Sequence, residues 1–177
     1  MLDMRFVPRA LRAIDGLTAE VLACGAFTDQ RPFTGLAGLI DWRLVGRLSR
    51  LAKEEFLLGE LGELLIVPAR PKLPFDKLLV AGLGPRATFG ESSFRRVLER
   101  MLHAIDDLQA KTAVLEWPGR GDEAIVLERA AQIHFEVAEN VRCTDFTVID
   151  CEDSAARVRA VSDERRRARS LSRRSEA

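Results

Sequence analysis

The stretch from Leu78 to Met101, LLVAGLGPRATFGESSFRRVLERM, is the part of the chain whose residue types could most directly hold a ligand. An apolar run ends in Gly82 and Gly84, Arg86 and Gly90 follow, and an amphipathic segment comes next. Backbone N–H groups of a glycine turn, beside a guanidinium, can cradle a phosphate. Gly82 to Ala87 fits the dinucleotide spacing G-x-G-x-x-G/A, but in that motif the helix starts within the glycines, so that its first N–H groups meet the pyrophosphate. Here the helix is expected to start near Ser92, and Pro85 has no N–H to give. The acid that ends the next strand, Glu116, lies 34 residues after Gly82, where about 20 are required. The dinucleotide reading therefore falls away. A strand-to-helix corner is the reading the pattern favours. A looser phosphate nest of Gly82, Gly84, Arg86 and Gly90 stays open beside it.

Basic residues form a second pattern. A helix is expected over Ile40–Lys53, with apolar Ile40, Leu44, Val45, Leu48 and Leu51 at spacings of three and four. On that helix Arg43, Arg47, Arg50 and Lys53 would make one basic stripe, either a partner or phosphate-backbone surface or simply the solvated face. Trp42 reads as a core anchor or an interface residue. The C-terminal stretch 157–177 holds eight arginines and three acids, a charge of +5. The other 156 residues hold 19 basic and 24 acidic side chains, a charge of −5, so the whole chain is neutral. Neutrality removes any whole-molecule attraction to DNA or membrane. Arg165, Arg166 and Arg167 could instead bind nucleic acid, or the acidic body of another copy. The tail has no aromatic residue on which a base could stack.

The remaining candidates point away from catalysis. His103 and His134 fall on separate expected helices with no partner motif, and Cys24, Cys143 and Cys151 lack metal-ligand spacing. Cys151 sits between Asp150 and Glu152, whose charge opposes a thiolate, so a buried or inert thiol is expected. No G-x-S-x-G elbow is present. No catalytic residue, metal ligand or cofactor is therefore expected. An odd number of cysteines with no export signal reads as reduced thiols in a cytoplasm. Arg12, Asp15 and Glu20 interrupt the region before Val21–Cys24, which rules out a lipoprotein signal there. No apolar run approaches the ~20 residues that span a bilayer.

Six apolar runs must position whatever chemistry there is: Met4–Pro8, Glu20–Phe27, Glu63–Pro68, Lys77–Leu83, Thr112–Trp117 and Phe146–Cys151. Most are continuously apolar, as strands buried on both faces are. Helices are expected between them: Ile40–Lys53 with Asp41 early, Ser92–Leu108 capped by Ser92 or Ser93, Asp122–Glu139 capped by Asp122, and a last one from near Glu152. Such alternation is that of an α/β fold. At 177 residues, with 47% hydrophobic and 31% charged side chains, the chain suits one soluble domain. The expected division is a folded unit over 1–156 and a basic, partly helical or disordered tail over 157–177.

GLAGLIDWRLVGRLSRL, followed by LGELLIVPARPKLPFDKLLVAGLG, resembles the N-terminal domain of leucyl aminopeptidases, and the likeness spans roughly Met4–Cys151. The resemblance implies a three-layer α/β/α sandwich around a macro-domain-like mixed sheet. In that family two metal ions sit in a separate C-terminal domain, within segments resembling NTDAEGR. No such segment occurs here, so no catalytic or metal residue carries over. The resemblance also keeps two associations open. True macro domains bind ADP-ribose, which would fall to Gly82–Gly90. Some bacterial aminopeptidases bind DNA partly through this domain, which would fall to Arg43–Lys53 and the tail. The leading expectation is a non-catalytic cytoplasmic module that acts by protein contacts, self-associating or regulating a partner. A nucleotide or ADP-ribose module and a nucleic-acid binder are the alternatives.

Overall fold

The computed structural model describes residues 3–143, 145–151 and 154–175. In chain order the elements are β1 (Asp3–Pro8), α1 (Leu11–Asp15), β2 (Ala19–Phe27), α2 (Gly35–Arg43), α3 (Arg47–Lys53), β3 (Leu64–Pro68) and β4 (Phe75–Gly84). There follow α4 (Glu91–Asp107), β5 (Thr112–Leu115), α5 (Leu127–Val137), β6 (Asp145–Asp150) and α6 (Ser154–Ser175). The strands form one sheet in the order β1-β6-β5-β2-β4-β3. Every neighbouring pair is parallel except β3 with β4. The sheet is therefore mixed, as expected.

Alternation along each strand explains the unbroken apolar runs. Val21 and Ala23 of β2 pack with α4 and α5, while Leu22 and Cys24 pack with α1 and α2. Leu79 and Ala81 of β4 repeat the first pattern, and Leu78 and Val80 the second. Helices on both faces bury the middle of β2 and β4 on either side, which makes the three-layer sandwich.

The helices depart from expectation in three places. The segment Ile40–Lys53 is two helices, because Val45 and Gly46 turn left-handed (φ 57° and 72°) between α2 and α3. Asp41 still serves a helix start, but that of α3, where its carboxylate accepts the Ser49 N–H at 3.0 Å. Asp122 caps no helix. It lies in a short 3-10 turn, Arg120–Asp122, and α5 begins five residues later at Leu127. Helix α4 starts at Glu91 behind Gly90, with no capping hydrogen bond from a serine.

Helix α6 opens by packing on the body. Val158 and Val161 join the core beneath α5, and Arg157 pairs with Glu128 of α5 at 2.7 Å. The side chains of Arg165 and Arg166 lie outside the described residues, while Arg167 is exposed. Among the described residues no helix is long and apolar enough to cross a membrane.

Candidate functional site

In an open parallel sheet the natural crevice lies beyond the carboxyl ends of two neighbouring strands whose chains leave toward opposite faces. β2 and β5 are such a pair. The chain leaves β2 for α2 on one face and leaves β5 for α5 on the other. The segments 28–34 and 116–126 therefore form the walls of the crevice.

The protein fills that crevice itself. About 10 Å³ remains, room for one water. Gln30 Nε2 donates to Asp122 Oδ1 at 3.1 Å and closes the rim. The Arg86 guanidinium lies 3.5 Å from Asp122, and the Arg86 N–H donates to Asp29 at 3.1 Å. Phe89 stands edge-on to Phe27 at 5.4 Å and lies over Gly119, where a Cβ would come within 2.6 Å of its ring.

Glu116, directly after β5, forms the floor. Its N–H continues the ladder to Ala23 O at 3.0 Å, which fixes its backbone. Its side chain is buried, and Oε1 accepts Arg9 Nε at 2.5 Å. Oε2 lies 3.4 Å from the N–H of Leu36 in the first turn of α2. Burial pushes the Glu116 carboxyl above its ordinary range, against the pull of Arg9 and the Leu36 N–H. Burial, helped by the same carboxylate, pushes the Cys24 thiol up.

A second, open cleft of about 380 Å³ adjoins this floor beyond β1 and β6, lined by Arg9, Arg120, Glu123, Asp150 and Cys151. Arg120 grips Asp150 with Nε and Nη2 at 2.9 and 3.0 Å, and Nη1 donates to the Ile125 carbonyl. Burial pulls the Arg120 guanidinium down, but Asp150 more than offsets it and holds it above its ordinary value. Cys151 is exposed, not buried, with Sγ 3.0 Å from Ser154 Oγ.

The residues singled out in the sequence do not converge. Gly82 and Gly84 donate their N–H groups to the carbonyls of Glu63 and Gly59, both at 2.8 Å. A Cβ on Gly82 would lie 1.9 Å from Glu60 O, so these glycines admit the crossing backbone of 59–63. Arg86 reaches the crevice rim, and Gly90 sits in open space at the head of α4. The expected basic stripe is broken with its helix. Arg43 pairs with Asp15, Arg47 donates to Pro68 O at 3.1 Å, Arg50 to Val45 O at 2.8 Å, and Lys53 is exposed. Trp42 is 69% exposed and anchors no core. His103 is exposed on α4, and His134 is fully buried, its Nδ1 accepting Trp117 Nε1 at 3.0 Å.

Arg9, Glu116, Arg120 and Asp150 escaped the sequence reading as a group. A signal was available: TAVLE and FTVID each end a continuously apolar strand with an acid. In a parallel sheet that position is the carboxyl edge where sites are built. Among the described residues no group of three or more His, Cys, Asp or Glu could hold a metal ion.

The model of the cytosol aminopeptidase family, N-terminal domain, matches residues 21–140. Curated relatives include the probable cytosol aminopeptidases of Thermosynechococcus vestitus and Haemophilus ducreyi. The first is 33% identical over 100 residues, 56% of this chain and 19% of the relative. The second is 28% identical over 101 residues, 57% of this chain and 20% of the relative. The chain thus matches about a fifth of the length of these relatives. Among solved structures, the macrodomain of Mycobacterium tuberculosis DarG superposes with a TM-score of 0.69 at 12% identity, over 86% of this chain and all of that one. The Oceanobacillus iheyensis macrodomain with ADP gives 0.65 at 14%, over 85% and 86%. Tomato leucine aminopeptidase gives 0.63 at 16%, over 92% of this chain and 36% of that one. These likenesses establish a macrodomain-like fold.

Proposed function

The chain belongs to the cytosol aminopeptidase family through its N-terminal domain, and from that premise we propose a non-catalytic module that works by protein contact, first of all with a second copy of itself. The observation that carries this reading is that four of the six large apolar side chains exposed among the described residues fall in one short stretch of sequence. Trp42, Val45, Phe56 and Leu58 are 69%, 64%, 65% and 48% exposed, and all fall between the end of α2 and the segment after α3. Large exposed aromatics with aliphatic neighbours are the composition of an interface core. A charge of −5 on residues 1–156 and +5 on 157–177 adds an attraction between copies. Family members carry their chemistry in sequence beyond the part matched here, and this reading gives the module none of its own. It places the protein in the cytoplasm, as the names of its relatives do for them.

Size-exclusion chromatography with light scattering tests the reading. The wild-type chain should run above its 19.7 kDa monomer mass, and a Trp42→Arg, Phe56→Asp double variant should run as a folded monomer. A wild type that stays monomeric at high micromolar concentration would defeat it.

A further inference from the structure

The sheet ends at β3, which pairs with β4 alone. The Ala69 N–H donates to the Asp76 carbonyl at 3.1 Å, and the Glu63 carbonyl accepts the Gly82 N–H at 2.8 Å. These residues turn their backbone groups inward, and by alternation Leu65 and Val67 do the same. Leu64, Ile66 and Pro68 therefore turn theirs outward. Pro68 has no N–H to leave bare, and its carbonyl accepts Arg47 Nη1 at 3.1 Å. Among the described residues nothing takes up the outward groups of Leu64 and Ile66. The Ile66 side chain is bare as well, 44% exposed on the face that its neighbour Leu79 shares with α4. Edges kept unpaired are guarded by lysine or other charge, yet LLIVP carries none, and Pro68 guards only its end.

We propose that β3 is the seam between two copies of the chain: the strands pair antiparallel about Ile66 and join the two sheets into one. The proposal rests on the self-association reading above and names its surface and geometry. About this centre Ile66 exchanges both backbone bonds with its counterpart in the second copy, and the two exposed side chains cover each other. Each Leu64 N–H meets the other copy's Pro68 carbonyl, whose second lone pair stays with Arg47. The N–H that Pro68 lacks is missed only at the ends of the seam. Charge selects a second copy in this direction. Exposed Glu60 lies six residues before Ile66 and exposed Lys72 six after, so antiparallel pairing carries each toward the other, while parallel pairing sets like charges together. The seam is thus self-complementary, as a two-fold interface must be. It is also continuous with the apolar stretch at 42–58. Leu48 and Leu57 share one core with Val67, and Arg47 binds Pro68, which sets that stretch beside the edge.

Light scattering and oxidative crosslinking of the full chain test it. Ile66→Lys sets two like charges directly opposite each other, and it should raise the dimer dissociation constant at least roughly tenfold while circular dichroism stays unchanged. For crosslinking, Cys151→Ser first removes the exposed native thiol. In that background Ile66→Cys places two thiols on Cα atoms about 5.5 Å apart, within disulfide reach, and most of the protein should crosslink under mild oxidation. Arg5→Cys, exposed on β1 at the opposite edge of the sheet, should not. A dimer that survives in folded Ile66→Lys, or an Ile66→Cys chain that crosslinks no better than Arg5→Cys, overturns this proposal and leaves self-association standing. If Ile66→Lys does not fold, the crosslinking comparison decides alone. A wild type that is monomeric at high micromolar concentration defeats both readings together.

Discussion

Arg9 Nε lies 2.5 Å from Glu116 Oε1, so one ion pair reaches across the end of β6 and joins the residue after β1 to the residue after β5. The Leu36 N–H brings the head of α2 to the same carboxylate. Three loops that a ligand would have to part are thus tied at a single buried side chain. These contacts close the floor of the crevice, while Gln30, Arg86 and Phe89 close its rim.

Arg9→Ala should be costly for this reason. It leaves a buried carboxylate without its partner, a loss of about 3 kcal/mol near neutral pH. A carboxyl raised in the fold contributes its stability below its unfolded value and loses it as pH rises through the folded one. The penalty of Arg9→Ala should therefore shrink toward acid, where Glu116 takes up its proton. Urea unfolding at about pH 5 and pH 8 measures this, and equal penalties would contradict the picture.

The glycines of the Leu78–Met101 stretch should separate sharply. Gly82→Ala drives a methyl into the Glu60 carbonyl and should cost roughly 3 kcal/mol or prevent folding. Gly84→Ala adds a side chain at φ +74° and 3.2 Å from Leu61 Cβ, which should also destabilise. Gly90→Ala meets nothing within 4 Å and should cost no more than about 1 kcal/mol. Thermal unfolding of the three variants ranks them, and a harmless Gly82→Ala would remove the structural account.

His134 should make the fold acid-sensitive. Burial lowers its pKa to about 3, against 6.5 when unfolded, so the unfolded chain binds the extra proton between those values. Stability is then lost as pH falls through that window, by about 1.4 kcal/mol per unit from this residue. His134→Phe should remove that part of the slope. It should also cost about 1–3 kcal/mol at neutral pH, because the Trp117 indole N–H loses its acceptor. Chemical denaturation of both proteins from about pH 4 to 7 checks the difference.

Truncations should distinguish two parts of α6. Removing residues 157–177 takes Val158 and Val161 out of the core and should cost roughly 1.5–3 kcal/mol for each. Removing 163–177 spares both, so the melting temperature should hardly move. If the second truncation alone abolishes self-association, the basic tail contributes through charge and not through folding.

The sequence by itself determined the sheet and the family. Six short runs, most of them continuously apolar and alternating with amphipathic segments, fit strands covered on both faces, since an open face would demand polar residues at every second position. The glycine-rich corner was likewise legible as structural, because Pro85 and the late start of α4 spoil an N–H cradle. Tertiary contacts decided the rest. The helix Ile40–Lys53 broke where Val45 and Gly46 turn left-handed, a local conformation that no apolar period announces. Trp42 emerged on the surface because the core on that side was already filled by Leu36, Ile40 and Leu48. Arg9, Glu116, Arg120 and Asp150 lie far apart along the chain, and only the parallel order β1-β6-β5 brings their strand ends together. Whether Glu116 serves as a surface acid or a buried plug depends on how closely Gly35 and Gly121 approach it, and that distance exists only in the folded state.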